Sequence, residues 1–325
     1  MLAGLVDILE VKGLTLKNRI VMPPMQTGLA TGKGAVTDAL IEHYARRSKA
    51  LGLLIVEHSY VSLDGKLSEE QLGIYEDSLI HGLERLSSSV HATGTPIVIQ
   101  INHAGKSASE EITGKQPVAP SQVGDAKELR AEEIEGLREA YARAAERAMK
   151  AGFDGVEIHG AHGFLLNQFY SPLTNRRRDK YGGSLENRMR FPLEVVERVK
   201  EGVGGRLLLY RLGSDDLDPA GTQIEDSRKF ALKLEEAGVD IIDVSGGLCG
   251  GSPDDLEGIQ GYFIPQAQKV KEVVDIPVIG VGGITEPEYA DKLIRDGKVD
   301  LVAVGRGLMD DPGWAEKALK KLKSE

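Results

Sequence analysis

The chain has almost no thiol chemistry and no long apolar segment. Its 325 residues include a single cysteine, Cys249. One thiol cannot close an internal disulfide or supply the several thiolates that hold an iron–sulfur cluster. No window approaches the roughly 18 apolar residues of a membrane-spanning helix, and residues 1–18 have no basic segment before an apolar run. We therefore predict a protein of the reducing cytoplasm that does not span a membrane.

An excess of positive charge is also missing. Lys and Arg number 40 against 50 Asp and Glu, which gives a formal net charge of -10. Nucleic acids and anionic lipid surfaces bind basic protein faces, so this balance argues against both as partners. Hydrophobic residues make up 41% and charged residues 28% of the chain, as in a globular protein with a large core. We expect a small-molecule substrate and leave open whether the chain forms a homo-oligomer.

Short apolar, β-branched runs alternate with longer amphipathic stretches, and this alternation predicts a parallel sheet covered by helices. The eight predicted strands are Ile20–Met22, Leu53–Glu57, Ile97–Ile101, Gly155–His159, Leu207–Leu212, Ile241–Ser245, Val278–Val281 and Leu301–Val304. The predicted helices are Asp38–Ala50, Asp77–Ala92, Ala131–Ala151, Leu185–Glu201, Ile224–Ala237, Pro265–Val274, Pro287–Asp296 and one that starts at Gly313.

Three predicted helices end in a glycine that leads into an apolar strand, namely Gly152, Gly238 and Gly297. A left-handed glycine closes a helix, and the chain then enters a buried parallel strand. Eight alternating strand–helix units favour an α/β fold of the closed (β/α)8 TIM barrel type. A doubly wound sheet is the alternative, but no Gly-x-Gly-x-x-Gly motif follows the first strand. We predict one domain over residues 1–325.

Three connections that follow strands are long: Ser59–Asp77, Asn102–Arg130 and Gly160–Ser184. Active sites of these barrels are built from the loops after the strands. The long connections therefore predict elaborated βα loops around a covered site at the carboxyl ends of the strands.

Glycines cluster after the last strands. Gly280–Ile284 contains three glycines and Gly305–Gly307 contains two, with Arg306 between them. Glycines let backbone N–H groups approach a phosphate closely, and the last two βα loops are the common phosphate site of such barrels. Ser245–Gly247 would extend the same site. The alternative is that these glycines only make tight turns.

Two histidines, His159 and His162, lie at the end of the fourth predicted strand. Paired imidazoles at the mouth of a barrel can donate two hydrogen bonds to one ligand oxygen and stabilise negative charge on it. Metal ligation is a rival interpretation, but no nearby Asp, Glu or third His completes a set. A further alternative is that the loop backbone satisfies both rings.

Other polar residues fall near predicted strand ends. Arg211 ends the fifth strand, Gln100 lies in the third, and His103 follows it. An arginine in this position needs an anion or an electron-rich ring, unless a structural ion pair neutralises it. The run Arg176–Arg188 looks basic, but acidic residues are interleaved, so we interpret it as a folded loop that leads into a helix.

Segments at both ends and in the middle of the chain carry a family resemblance: Leu16–Met22, His159–Arg188 and Gly305–Arg306. The most specific parts are LNQFYSPLTNRR at 166–177 and YGGS at 181–184. On these segments the chain resembles the Old Yellow Enzyme family of NAD(P)H:flavin oxidoreductases over essentially its whole length.

The resemblance implies FMN across the strand ends and NADH or NADPH as the hydride donor. It implies that His159 and His162 are catalytic and hold the carbonyl or nitro oxygen of a substrate over the flavin ring. The implied cofactor-binding residues are Pro24, Met25, Gln26, His58, Gln100, Arg211, Ser245, Gly246, Gly282, Gly283, Gly305 and Arg306. No metal is implied.

Several residues depart from the family pattern. Phe164 stands where ene-reductases of the family usually have a tyrosine that protonates the substrate. His58 replaces a residue that is usually small, and Gln26 replaces the threonine or cysteine that often tunes the flavin. We assign Phe164, Gly28 and Tyr262 to the substrate pocket.

The resemblance implies an FMN-dependent NAD(P)H oxidoreductase of ping-pong type. Hydride would pass from nicotinamide to flavin N5 and then to an activated alkene, such as an enone or enal. Because Phe164 cannot donate a proton, oxidation of an amine or another reduced substrate is an alternative. A cofactor-free phosphate-sugar aldolase or isomerase is a further one, and it needs a lysine or a carboxylate such as Glu57 or Glu157 at a strand end. We expect Glu157 to face outwards, because it alternates with apolar residues.

Overall fold

Eight parallel strands close into a barrel that helices surround. The computed structural model describes residues 3–324. Its strands are β1 (Leu9–Val11), β2 (Leu14–Leu16), β3 (Ile20–Met22), β4 (Leu53–Tyr60), β5 (Ile97–Asn102), β6 (Val118–Ala119), β7 (Lys127–Glu128), β8 (Gly155–Gly160), β9 (Leu207–Gly213), β10 (Ile241–Ser245), β11 (Val278–Gly280) and β12 (Leu301–Ala303). Its helices are α1 (Asp38–Ser48), α2 (Ile80–His91), α3 (Glu110–Thr113), α4 (Ala131–Lys150), α5 (Leu165–Tyr170), α6 (Leu185–Val203), α7 (Ile224–Ala237), α8 (Ile264–Lys271), α9 (Pro287–Arg295), α10 (Arg306–Asp310) and α11 (Trp314–Leu322). Short 3-10 helices span Leu63–Gly65, Asp77–Leu79, Gly105–Ser107 and Asp254–Leu256.

The strand order confirms the predicted TIM barrel. Around the ring the strands are β3, β4, β5, β8, β9, β10, β11 and β12, and β12 pairs with β3 to close it. Each neighbouring pair is parallel. All eight strands predicted from the sequence are present. In a closed parallel barrel every strand ends on the same face, so the loops that follow the strands converge there.

Strand β4 continues past its predicted end at Glu57 because it contains a bulge. Val56 pairs with Ile99 and Ser59 pairs with Ile101, so two residues of β4 occupy the space of one residue of β5. A bulge bends a strand and redirects its side chains. The bulged residues are Glu57 and His58, at the end of the strand where the loops converge.

The amino end of the barrel is filled with apolar side chains. Leu53, Val98, Leu207 and Ile241, near the starts of their strands, belong to one buried cluster. The β1–β2 hairpin, which the periodicity did not predict, packs its own apolar residues into this cluster. The hairpin therefore covers the amino end, and polar residues of the barrel interior lie further along the strands.

A second and larger apolar cluster lies between the strands and the surrounding helices. Val156 and Ile158 of β8 belong to it, together with Tyr141 and Ala145 of α4. Burial of this apolar surface holds the helices on the barrel. No helix within residues 3–324 is long and apolar enough to cross a membrane.

The loop after β8 is held by buried arginines, as its interpretation as a folded loop requires. Arg177 donates hydrogen bonds from Nη1 to the carbonyl oxygens of Pro120 (2.8 Å) and Leu129 (2.7 Å), and from Nη2 to Asp179 (2.6 Å). The side chain of Arg177 is 5% exposed. One guanidinium therefore ties the loop after β8 to the loop after β5, and both loops border the carboxyl face.

We expect Arg177→Ala to lower the free energy of unfolding by about 2 to 4 kcal/mol, because two buried carbonyl groups lose their donor. Urea unfolding of the purified protein measures this change. The control is Arg178→Ala, since Arg178 is exposed and its removal should change stability by less than about 0.5 kcal/mol. Equal effects of the two substitutions would show that Arg177 does not tie the loops together.

Candidate active site

A cavity of about 370 Å³ opens at the carboxyl ends of the barrel strands. Residues from at least seven connections or strand ends line it, among them the histidine pair. The lining residues are Pro23, Pro24, Met25, Gln26, His58, Leu67, His159, His162, Phe164, Arg211, Gly251, Ser252, Tyr262, Val281, Gly283, Ile284, Ala303, Gly305 and Arg306. The cavity thus combines an apolar wall with a small set of convergent polar groups, which is typical of a ligand site.

A larger cavity of about 580 Å³ lies between α4 and the loop after β5, outside the barrel mouth. Lys115, Lys127 and Arg143 line it together with Asp64 and Glu133. It contains neither paired histidines nor a glycine-rich segment. We therefore assign the active site to the smaller cavity, where the chemical groups converge.

His159 and His162 both line the mouth cavity, with ring centroids 5.1 Å apart and planes at 87°. His159 belongs to β8, while His162 has φ +58° in the loop that follows. A left-handed backbone is uncommon outside glycine and often marks a functional position. Two bonds hold His162 there: its N–H donates to the Gly246 carbonyl (3.1 Å), and its Nε2 lies 2.8 Å from Ser245 Oγ.

Both histidines are uncharged at neutral pH. Burial lowers the pKa of His159 well below its usual value, and His162 and Arg211 nearby lower it further. Burial, with Arg211 next in effect, likewise lowers the pKa of His162. A neutral imidazole keeps one N–H donor, so the pair can bind an oxygen without carrying positive charge of its own.

Phe164 packs between the histidines of the cavity wall. Its ring centroid lies 4.9 Å from that of His159 and 5.4 Å from that of His58. The side chain reaches the cavity lining, as expected from its position after the histidine pair. It brings an apolar edge to a place where a tyrosine would bring a hydroxyl.

Four polar side chains occupy the barrel interior beneath the cavity. Register aligns Gln100 with Glu157, and aligns Arg211 with both His159 and Asp243. Gln100 Nε2 donates to Glu157 at 2.7 Å, and Arg211 Nε lies 3.4 Å from the Asp243 carboxylate. The ion pair suggested as an alternative for Arg211 therefore exists, and the guanidinium reaches the cavity as well.

The expectation that Glu157 faces outwards was wrong. Its apolar neighbours Val156 and Ile158 pack against the helices, so the alternation of a strand directs Glu157 into the barrel, where it is fully buried. Both faces of a barrel strand are buried, so an apolar position does not have to face the barrel axis. Burial, and then Asp243, raises the pKa of Glu157 well above its usual value.

The glycine-rich segments after β11 and β12 form another part of the cavity wall. Gly282 and Gly283 have φ of +127° and +61°, and a side chain on Gly282 would lie 2.9 Å from the Tyr262 backbone nitrogen. Arg306 is exposed, lines the cavity and donates to the Tyr262 hydroxyl at 3.3 Å. Within residues 3–324, no carboxylate forms an ion pair with Arg306, so its charge can meet an anionic ligand.

These residues fit FMN. Gln100 Oε1 and His159 Nδ1 are buried without a hydrogen-bond partner in the described part of the chain. A flavin ring has polar edges that such groups could meet, and Pro24 and Met25 would supply an apolar face. The glycines and Arg306 would supply a site for its phosphate.

Most of the predicted site residues meet in this cavity. Those in its lining are Pro24, Met25, Gln26, His58, His159, His162, Phe164, Arg211, Tyr262, Gly283, Gly305 and Arg306. Gln100 and Ser245 lie behind the lining, where they form hydrogen bonds with Glu157 and His162. Gly246 accepts a hydrogen bond from the His162 backbone, and Gly282 lies next to Tyr262. Gly28 is exposed and outside the lining.

Sequence reasoning missed Pro23, Leu67, Gly251 and Ser252, which enter the lining from loops, and Ala303, which enters it from β12. The length of the loop after β4 was the available signal for Leu67. His103, which the sequence also suggested, lies away from the lining and has a structural role. It is fully buried, and its Nδ1 accepts a hydrogen bond from the Gly105 N–H at 3.0 Å.

A metal ion at His159 and His162, the rival interpretation of this pair, would need further ligands. Between residues 3 and 324, no group of three or more His, Cys, Asp or Glu side chains could hold a metal ion.

The barrel and its mouth define a class of protein: the FMN-dependent NAD(P)H oxidoreductases with a (β/α)8 fold. The model of the NADH:flavin oxidoreductase / NADH oxidase family matches residues 5–325. The chain belongs to this family, which includes the Old Yellow Enzymes, and the predicted family resemblance is confirmed.

Individual relatives agree with this assignment. The chain is 45% identical to an NADH oxidase of Thermoanaerobacter brockii over 97% of its own length, but it spans only 50% of that longer protein. It is 41% identical to an NADPH dehydrogenase of Geobacillus thermodenitrificans, covering 96% of this chain and 92% of the relative. The structure of an Old Yellow Enzyme homologue from Zymomonas mobilis superposes with a TM-score of 0.87 at 29% identity, covering 98% of this chain and 93% of that one.

The raised pKa of Glu157 predicts a pH-dependent stability. The folded state keeps a proton that the unfolded state loses above the usual value of 4.5. Stability therefore falls as pH rises from that value towards the folded pKa, by up to about 1.4 kcal/mol per pH unit. Glu157→Gln removes this titration, so its stability relative to the unsubstituted protein should increase with pH.

Urea unfolding between about pH 5 and pH 8 measures the difference. Glu197→Gln, at an exposed position of α6, is the matched control and should follow the unsubstituted protein at every pH. If the stability of Glu157→Gln also changes with pH in parallel with that of the unsubstituted protein, Glu157 is ionised in the folded state. The argument for its buried proton then fails.

Proposed function

We propose that this chain reduces an electron-poor alkene conjugated to a carbonyl group, an enone or enal, with FMN as its bound cofactor and NADH or NADPH as electron source. We further propose that residues 1–325 form a single FMN-binding domain. The observation that carries the proposal is the shared cavity: His159 and His162 face the same space as Arg211 and the glycine-rich segment with Arg306.

The cavity lining suggests how FMN would be held. Pro24 and Met25 would pack against the ring, while Gln100 and Arg211 would meet its polar pyrimidine edge. Arg306 and the neighbouring glycines would hold the phosphate. When bound there, FMN supplies two-electron hydride chemistry that amino-acid side chains lack.

The histidine pair would bind the carbonyl oxygen of the substrate. As hydride adds to the β carbon, negative charge grows on this oxygen, and two N–H donors fixed in place stabilise it. Since low pKa values keep His159 and His162 neutral, neither ring changes its charge at neutral pH. The pair therefore orients the substrate and stabilises charge, and it does not supply the proton.

The proton for the α carbon needs another source, because Phe164 has no acidic group. Tyr262 lines the cavity, but its hydroxyl already donates to the Gly251 carbonyl at 2.8 Å. We therefore assign the proton to water that enters from solvent.

A second function, oxidation of an amine or another reduced substrate, is favoured by Phe164 alone. Such a reaction uses the same cofactor site and needs no proton donor at this position. Anaerobic mixing of the reduced enzyme with cyclohexenone separates the two functions, because only an ene-reductase is reoxidised.

The proposal predicts that the purified enzyme is yellow, binds FMN, and oxidises NADH or NADPH anaerobically when cyclohexenone is added. Absorbance in the flavin bands and at the nicotinamide band measures both properties. A colourless protein that does not take up added FMN would overturn the assignment, and a yellow protein inert towards cyclohexenone would favour oxidation of an amine or another reduced substrate.

Phenol tests the histidine pair, because a bound phenolate mimics the oxygen anion of the transition state. We expect His162→Ala to weaken phenol binding on the order of tenfold or more, since a hydrogen bond to a charged group is lost. FMN should stay bound. Titration followed by flavin absorbance gives the affinity, and His81→Ala, at an exposed position, is the control. Unchanged phenol affinity in His162→Ala would remove the proposed role.

A further inference from the structure

His58 lies on the cavity wall at a position where the family usually has a small residue. It occupies the bulge of β4 beside Glu57, opposite Gln100 of β5. Glu57 points to the helix side, where Thr27 and Tyr44 donate to its carboxylate. His58 instead lines the cavity and is 7% exposed.

A buried glutamine of the loop after β4 determines where the proton of His58 sits. Gln71 Oε1 accepts from the Leu67 N–H at 2.6 Å, and Gln71 Nε2 donates to the His58 carbonyl oxygen at 3.1 Å. A backbone N–H can only donate and a carbonyl can only accept, so these two bonds fix the orientation of the amide. Gln71 Nε2 also lies 2.8 Å from His58 Nδ1.

This Gln71 contact makes Nδ1 of His58 an acceptor. A neutral imidazole has one acceptor and one donor nitrogen, so the proton must be on Nε2. Burial, with Arg211 as the second cause, lowers the pKa of His58 to about 4, which keeps the ring neutral at pH 7. No protein group in residues 3–324 accepts a hydrogen bond from this Nε2, and the ring faces the cavity.

The donor of His58 is separate from the histidine pair. The ring centroids of His58 and His159 are 6.2 Å apart, and Phe164 contacts both rings at 5.4 and 4.9 Å. An apolar ring thus lies beside two imidazole donors. A ligand oxygen held by His159 and His162 leaves the donor of His58 for another atom of the same ligand.

We propose that His58 is a further catalytic residue whose Nε2–H binds a second acceptor oxygen of the substrate and so selects electron-poor alkenes that carry two carbonyl groups. This inference rests on the proposed alkene reduction. A neutral imidazole donates a hydrogen bond without losing its proton, so His58 contributes recognition and polarisation.

Two alkenes test the selection: cyclohexenone has one carbonyl, and N-methylmaleimide has two. His58→Phe keeps a ring of similar size but removes the donor. We expect it to lower the ratio of kcat/KM for N-methylmaleimide to kcat/KM for cyclohexenone on the order of tenfold. His58→Gln retains an N–H donor and should recover part of the loss, while His81→Phe, at an exposed position, should change neither value.

The protonation of His58 is tested directly by nitrogen NMR of the FMN-bound enzyme labelled at histidine, with the signal assigned by its loss in His58→Phe. The expected signature at pH 7 is a protonated Nε2 and an unprotonated Nδ1. A proton on Nδ1, or a charged ring, overturns the inference whatever the kinetic results of the variants are.

The kinetic outcomes separate this inference from the proposed function. If the enzyme reduces both alkenes but His58→Phe affects them equally or not at all, the role of His58 is wrong and alkene reduction stands. If the enzyme reduces neither alkene, alkene reduction itself fails, and the role of His58 fails with it.

Discussion

The buried guanidinium of Arg211 is the charge on which the site depends. It lies inside the barrel, beyond the apolar side chains that fill the amino end, where an unpaired charge would be strongly destabilising. Asp243 on the next strand forms an ion pair with its Nε at 3.4 Å, and Ser245 Oγ accepts a hydrogen bond from its Nη2 at 3.4 Å. The protein can therefore keep a positive charge directly beneath the cavity, where a ligand with an electron-rich edge would meet it.

The same charge also influences the pKa values of its neighbours. Arg211 contributes to the low pKa of His58, His159 and His162, although burial is the larger cause for each. It opposes the rise in the pKa of Glu157 and Asp243, again against a larger effect of burial. The outcome is a site with two permanent cations, Arg211 and Arg306, and three neutral imidazoles, which favours binding of oxygen atoms that become negative during reaction.

Parallel register brings these groups together from distant parts of the sequence. Gln100 is paired with Glu157, and Arg211 is paired with His159 and Asp243. The loops then complete the wall: Gln71 orients the ring of His58, and Ser245 orients that of His162. A single shift of register would move each side chain to the opposite face of its strand, so the apolar packing of the barrel also positions the polar residues.

The sequence by itself determined the barrel and most of its mouth. Alternation of apolar strands with amphipathic helices specifies a βα repeat, and glycines after the late strands and paired histidines mark the ends where ligands bind. The tertiary structure alone decided the direction of Glu157, the bulge at His58 and the exposure of Gly28. The physical reason is that barrel strands are buried on both faces, so hydrophobicity does not distinguish inside from outside. Likewise, the proton of an imidazole depends on partners such as Gln71 that only folding brings into contact.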